Sequence, residues 1–367
     1  MVKNDLYTKL YIGVMSGTSL DGIDIALCKI DENSIQTLQT KEYPFDKQIK
    51  EDVLKTISNP ITLEFLGTLN HKLALMYTNA IKNFLKEFEV KAEKIIAIGL
   101  HGQTIWHSPN KPYPFSMQLG DGSFVAKKLQ IDVVNDFRSG DIANNGQGAP
   151  LTPAFHKSLF DDKQTAVLNL GGIANITILT KEYLGFDIGV ANILSDYWIQ
   201  KNQKTPFDKD GVWAKSGKVN EELLRVLLDD PYFKKLPPKS TGREYFNASW
   251  LEDKLKNFSS INAVDIQATL LEFVSIPIIE ALKTKEIKRL IVCGGGAQNK
   301  YLMEKLSNRL NKIKVIKSDE LGIDSNFLEA IAFAWLAFKR INHQAIDLSA
   351  ITGSSKPTIL GAIHGKD

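Results

Sequence analysis

Three glycine-rich turns, each placed directly after an apolar β-prone run, constrain this 367-residue chain more than any other feature. They are VMSGTSLDGIDIAL (14–27), VLNLGGIANITILT (167–180) and RLIVCGGGAQN (289–299). Glycine adopts positive φ without a steric cost, and successive backbone N–H groups at such turns form anion-binding nests. One turn of this kind equally serves as a plain chain reversal. Three of them point to a nucleotide clamp, and the helical pattern after GGGAQN would add a helix N-terminus that favours anions. No G-x-x-x-x-G-K-[ST] is present, so this is not a P-loop. GGGAQN is not G-x-G-x-x-G and no ribose-binding acid follows about twenty residues later, which makes a dinucleotide site the weaker reading.

The first two turns share a strand–turn–strand pattern, which suggests two structurally related halves, and the length suits two domains. LYIGVMS and IDIALCKI form a hairpin around GTSLDG, followed by a helical pattern over 46–91 with Leu63, Leu66, Leu69, Leu73 and Met76 at spacings of three and four. IIAIGLHGQ (95–103) reads as a buried strand, and SFVAKKLQIDVVND as a helix and a short strand. The polar stretch FRSGDIANNGQGAPLTP lacks periodicity and reads as a domain crossing. The expected division is 1–136 with 345–367 as an N-terminal lobe and 137–344 as a C-terminal lobe. SNFLEAIAFAWLAF (325–338) closes the pattern as a strongly apolar helix.

Charge is nearly balanced, 45 Lys+Arg against 42 Asp+Glu, and argues neither for nor against nucleic acid. Two cysteines in apolar runs, with no zinc spacing and no apolar leader, point to a cytoplasmic protein. No window approaches an uncharged apolar run of membrane-spanning length.

The three turns together resemble the actin, Hsp70 and sugar-kinase superfold. That resemblance implies an α/β, two-lobed, ribonuclease H-like fold of mixed sheets flanked by helices, with a cleft between the lobes. It implies that 13–20 form a first phosphate loop, 169–175 a second and 293–297 an adenosine turn. The expected ATP contacts are Gly13, Ser16, Gly17, Thr18, Ser19, Asp21, Gly22, Asn169, Gly171, Gly172, Gly294, Gly295, Gly296 and Asn299. Asp21 is the expected magnesium contact, because the superfold's usual aspartate slot holds Ser16 here; Asp24 is read as structural.

A closer resemblance follows from longer motifs. GVMSGTSLDGIDIAL, GLHGQTIWHSP, QLGDG, VVNDFRSGDIANNGQGAPLTPAFH, NLGGIANIT, GFDIGVAN and CGGGAQN stand in the order found in the anhydro-N-acetylmuramic acid kinase family. The match runs from about residue 10 to about residue 362. Membership implies ATP-dependent conversion of 1,6-anhydro-N-acetylmuramic acid, with water, to N-acetylmuramic acid 6-phosphate in peptidoglycan recycling, and a homodimer with no nucleic-acid or membrane partner. Another amino sugar or a hexose as acceptor, or a non-catalytic actin-like nucleotide switch, are the alternatives.

Such a reaction needs a base for water, groups that orient the sugar, and a cradle for the triphosphate. Asp187 follows a short strand and precedes a helix near Asn192, a position that suits a base and equally suits a helix cap; the resemblance assigns it the base. Relatives commonly read FDTGPGN or FDTGPAN here, whereas this chain has Ile188 and Val190, so a local hydroxyl contact is lost. Glu329, in an otherwise apolar helix, is the second catalytic candidate, with an exposed first-turn glutamate as the plain reading. His101, Gln103, Thr104, Asp121, Arg138, Asp141 and Gln147 are the expected sugar contacts, with Arg138 suited to the substrate's lactyl carboxylate.

Overall fold

A computed structural model describes residues 9–367 apart from 18–19, 21, 110–111, 161–162, 182 and 244. The expected contacts Thr18, Ser19 and Asp21 therefore lie outside the described residues. The chain divides into two compact units, one made of the residues up to Phe155 together with Phe327–Asp367, the other of His156–Asn326.

The first unit opens with the expected hairpin, β1 (Leu10–Met15) and β2 (Gly22–Ile30), which β3 (Ile35–Pro44) extends. Helix α1 (Lys47–Ser58) is capped by Asp46, whose carboxylate accepts from the Ile49 amide at 2.9 Å. Helix α2 (Leu63–Glu87) starts at Thr62, which caps the Phe65 amide. Leu69, Leu73, Tyr77 and Ile81, four apart, and Phe84 bury one face of α2, while Leu63 at its start is exposed. There follow β4 (Ile95–Leu100), a separate hairpin of β5 (Gln103–Ser108) and β6 (Phe115–Leu119), α3 (Gly122–Leu129), β7 (Asp132–Asn135), α4 (Ser139–Ala143) and α5 (Thr152–Leu159).

The second unit carries β8 (Thr165–Leu170), β9 (Ile173–Leu179) and β10 (Leu184–Val190). A helical insert follows: α6 (Asn192–Gln203), α7 (Val212–Ser216), α8 (Glu221–Leu228), α9 (Ala248–Leu255) and α10 (Ala263–Lys283). No sequence motif announced this insert, and it has its own core of Trp198, Leu223, Tyr232, Phe246 and Phe273. The unit ends with β11 (Arg289–Cys293), α11 (Lys300–Arg309) and β12 (Lys314–Lys317). The chain then returns to the first unit with α12 (Leu328–Ile341), α13 (Ser349–Thr352) and β13 (Ala362–His364).

The sheet of the first unit has the order β13-β7-β4-β1-β2-β3, and that of the second β10-β9-β8-β11-β12. In each, the first strand of an antiparallel three-strand meander pairs in parallel with a later strand, which in turn pairs in parallel with another. Both units thus repeat the 3-2-1-4-5 order of the ribonuclease H-like fold. The relation between the halves that the two hairpins suggested is a relation of topology.

The division falls inside α5 and just before α12, not at 136/137 and 344/345 as expected. Two observations explain the correction. The polar stretch after β7 forms α4 and the first two residues of α5, and its side chains bond within the first unit: Arg138 Nη2 donates to His101 Nε2 at 3.0 Å, and Thr352 Oγ1 to Asp141 Oδ1 at 2.8 Å. Helix α12 packs on β1, β2 and β4. It comes so close that a Cβ on Gly13 would lie 1.7 Å from the Ala330 carbonyl oxygen, and one on Gly99 2.0 Å from that of Phe333. Gly13 is accordingly required to be glycine by this packing.

Because backbone on both sides leaves no flexible group to yield, Gly13→Ala is expected to cost about 3 kcal/mol or more, at or beyond the top of the usual overpacking range. A denaturant titration measures this as a lower midpoint with an unchanged slope.

Candidate functional site

In the second unit, two glycine turns lie side by side because β8 and β11 are parallel neighbours, with Cys293 paired to Asn169. Gly294 has φ 80°, and a Cβ there would lie 2.3 Å from Asn169 Oδ1. One on Gly296 would meet Leu170 Cβ at 2.6 Å and Asn192 Oδ1 at 3.1 Å. Gly295 faces open space, and Gly171 meets only the Ile173 carbonyl oxygen at 3.6 Å. Gly294 and Gly296 are thus glycines because turn packs on turn, whereas Gly171 and Gly295 leave main chain that a phosphate or ribose can approach.

The first amides of α6 are spent on the same turn. Ala191 and Ile193 donate to the Gly172 carbonyl at 3.0 and 3.3 Å, and Asn192 to that of Gly171 at 3.1 Å. The Asn192 side chain also donates to the Leu170 carbonyl at 3.0 Å. The three glycines of GGGAQN do not open a long helix: a short 3₁₀ turn over Gly295–Gln298 comes first. Asn299 then caps α11 by accepting from the Leu302 amide at 3.0 Å, so its side chain serves the helix and not a nucleotide.

Asp187 is buried in β10, paired across to Asn175 of β9. It does not cap α6, whose cap position is Ala191 with no side-chain bond. Its carboxylate Oδ2 accepts from the Thr241 amide at 3.0 Å. Its own amide donates to the Lys239 carbonyl at 3.1 Å, and its carbonyl accepts from the Tyr232 hydroxyl at 2.7 Å. The Lys239 ammonium lies over the Tyr232 ring at 4.7 Å; burial holds it below the usual lysine range while the Asp187 charge pulls it back up. Ile188 and Val190 are buried in the cores on either side.

In the first unit, Arg138 bonds His101, and its charge also acts on His107. With His101 Nε2 accepting from Arg138, the ring proton belongs on Nδ1, which is buried and has no hydrogen-bond partner. Burial and then the Arg138 charge hold His101 well below its usual range. The same two causes push His107 down to about 3. His107 Nδ1 lies 3.1 Å from Ser116 Oγ, and its Nε2 is buried without a partner. Thr104 Oγ1 accepts from Gln118 at 3.2 Å. Arg138, two neutral imidazoles and Thr104 therefore form a polar set suited to an anionic, hydroxyl-bearing ligand. His107 was not foreseen, although the motif GLHGQTIWHSP contains it and strand alternation buries Gln103, Ile105 and much of His107.

Most of the other expected ligand contacts make bonds within the fold. Asp121 caps α3 by accepting from the Phe124 amide at 3.1 Å. Asp141 is fully buried, accepts from the Gly148 amide at 2.7 Å and from Thr352, and is pushed up by burial. The half-buried Gln147 donates its amide to the Thr352 carbonyl at 3.0 Å. Gln103 and Ser16 bond each other: Ser16 Oγ donates to Gln103 Oε1 at 2.9 Å. The Gly17 carbonyl accepts from Leu20 within the turn at 3.2 Å. Gly22 starts β2, where a Cβ would meet the Glu42 side chain at 2.5 Å. Glu329 lies half-buried in the first turn of α12, where the helix dipole favours a carboxylate. Among the described residues, no group of three His, Cys, Asp or Glu could hold a metal ion, and no helix is long and apolar enough to cross a membrane.

Two buried histidines and the half-buried His107 give the fold an acid dependence. His101, His107 and His156 all have folded values below the usual 6.5, the latter two at about 3, so below pH 6.5 the unfolded chain binds protons that the folded chain refuses. Their contribution is complete above about pH 6.5 and is lost as pH falls towards 3, at about 1.4 kcal/mol per histidine per pH unit. Urea titrations between pH 7 and 4 are expected to show this slope, and His107→Gln to make it shallower.

The profile of the anhydro-N-acetylmuramic acid kinase family matches residues 9–366. An anhydro-N-acetylmuramic acid kinase of Sulfurimonas denitrificans is 50% identical over 366 residues, covering 97% of this chain and 100% of that protein. Those of Pasteurella multocida and Vibrio cholerae are 46% and 45% identical, covering 98% of this chain and 98% and 99% of theirs. With near-complete coverage on both sides and the motifs in register, this chain belongs to the anhydro-N-acetylmuramic acid kinase family.

Proposed function

We propose that the chain converts 1,6-anhydro-N-acetylmuramic acid, ATP and water to N-acetylmuramic acid 6-phosphate and ADP. The observation that carries this reading is the β8–β9–β10 meander. It places the buried Asp187 carboxylate in the strand beside the one that leaves the Gly171-Gly172 turn, at the sheet end where the GGG turn also sits. Family membership supplies the substrate.

In this reaction water attacks the anomeric carbon and its proton passes to the Asp187 carboxylate. The bond from that carbon to O6 breaks, and the freed oxygen takes the γ-phosphoryl group as the bond to the β-phosphate oxygen breaks. The Thr241 amide bond and the nearby Lys239 charge favour an ionised Asp187, as a base requires. Arg138 takes the lactyl carboxylate, beside the neutral His101 and His107. Glu329 orients the water or a sugar hydroxyl. The turns at Gly171-Gly172 and Gly294–Gly296 receive the nucleotide, and Asn169 borders them. Asp21, the expected contact, would hold magnesium together with water and phosphate oxygens, and the ion would supply neutralisation of the developing phosphate charge. The protein is proposed to work as a cytoplasmic homodimer without nucleic-acid or membrane partners, on the strength of the family resemblance.

Asp187→Asn is expected to lower kcat by about 10²–10⁴-fold, the usual contribution of a general base, while leaving affinity for a non-hydrolysable ATP analogue unchanged. A coupled ADP assay and calorimetry measure the two. Retained turnover would remove Asp187 from the mechanism. Phosphorylation of open N-acetylmuramic acid or N-acetylglucosamine with none of the anhydro-sugar would overturn the hydrolytic half.

A further inference from the structure

Tyr77 is a fully buried residue of α2 whose hydroxyl the fold alone does not require. Its ring packs against Gly120, where a Cβ would lie 2.8 Å from Tyr77 Cε2, and phenylalanine would fill the same space. Burying a hydroxyl is unfavourable unless it is bonded. Here Tyr77 Oη lies 2.6 Å from Ser16 Oγ. Ser16 has one hydroxyl proton and gives it to Gln103 Oε1, so Tyr77 must be the donor to Ser16. The result is a directed chain from Tyr77 to Ser16 to Gln103, with each residue at most 2% exposed. Burial keeps Tyr77 protonated by raising it above the usual tyrosine range.

Ser16 is the first residue after β1, at the mouth of the 16–21 turn. Gln103 is the first residue of β5, two residues after His101, whose amide donates to the Val14 carbonyl at 3.1 Å. The chain of bonds therefore ties three separate pieces of the first unit: α2, the start of the glycine turn, and the start of β5, next to His101.

We propose that Tyr77 is a positioning residue for phosphate binding, acting through Ser16 to fix the direction in which the 16–21 turn leaves β1. This deepens the proposed function and rests on the reading of that turn as a phosphate loop. Without the Tyr77 hydroxyl, Ser16 keeps its bond to Gln103 but can rotate about it, and the turn that follows loses one of its two anchors. The effect falls on nucleotide affinity before it reaches the sugar, because Arg138 and His101 are held by other bonds.

The test is Tyr77→Phe in the intact enzyme, alone and combined with Ser16→Ala. Losing one neutral hydrogen bond is expected to raise the KM for ATP and the Kd of a non-hydrolysable analogue by roughly three- to tenfold, with the sugar KM changed less than about twofold. The double variant is expected to be no worse than Ser16→Ala alone, since both changes cut the same chain. Equal rises in both KM values together with a lower Tm would mean a purely structural role and overturn the proposal. So would an unchanged ATP affinity in Tyr77→Phe while Gly17→Val, which blocks the turn itself, abolishes analogue binding. If Gly17→Val leaves analogue binding intact, the phosphate-loop reading fails instead, and the two failures are told apart.

Discussion

The main chain of α12 occupies the space that side chains at positions 13 and 99 would fill, and much of the first unit follows from that approach. The helix presents a small-residue row to the sheet: Gly13 faces the Ala330 carbonyl and the Ala334 amide, and Gly99 faces the Phe333 carbonyl and the Ala337 methyl. Its other buried residues, among them Ile331, Phe333, Trp335 and Phe338, add the apolar area that holds it there. Since β1 and β4 lie under this helix, their ends are fixed with it. Those ends lead directly into Ser16 and His101, and the helix's own first turn carries Glu329. A packing constraint thus sets where three groups of chemical interest begin.

The second unit reaches a similar result by a different contact. Parallel pairing of β8 with β11 brings two turns to the carboxyl ends of adjacent strands, the place where open α/β sheets bind ligands. Of the glycines in those turns, Gly294 and Gly296 are used up in packing against Asn169, Leu170 and Asn192. Gly171 and Gly295 keep open backbone. A glycine-rich turn is therefore not uniformly a ligand site, and the residues that look alike in sequence divide into those that build the turn and those that present it.

The strands and the doubled topology were legible because apolar runs ending in glycine are local signals that need no partner to be read. The roles of individual polar residues were not, because each depends on what lies opposite. Asp121 and Asn299 stand at helix starts, and capping the next turn satisfies their side chains. Asp141 is spent on Gly148, seven residues away, and on Thr352, more than two hundred residues away, and sequence spacing shows nothing of the second contact. The same long-range bonds explain the displaced domain boundary: a polar stretch without periodicity looks like a linker until its partners are known. Beyond the start of α6 near Asn192, the helices between β10 and β11 were missed for the opposite reason. They carry no chemical motif, and their shared core of aromatic residues is assembled from segments that are individually unremarkable.

The departure of this chain from FDTGP-type sequences can be judged from the same geometry. Ile188 and Val190, which stand where the family resemblance led to the expectation of Thr and Pro, are both absorbed in hydrophobic cores. The bonds around Asp187 come instead from outside its own strand: the Thr241 amide to its carboxylate, the Lys239 carbonyl to its amide and the Tyr232 hydroxyl to its carbonyl. Two of these three come from main-chain groups, which a side-chain substitution does not remove. Gly189 is the neighbour that cannot change freely, because its φ of 152° and the Phe233 ring 2.7 Å from its Cβ position exclude a side chain. The acid is thus held by the 239–241 segment and the bulge at Gly189, and not by the side chains of Ile188 and Val190.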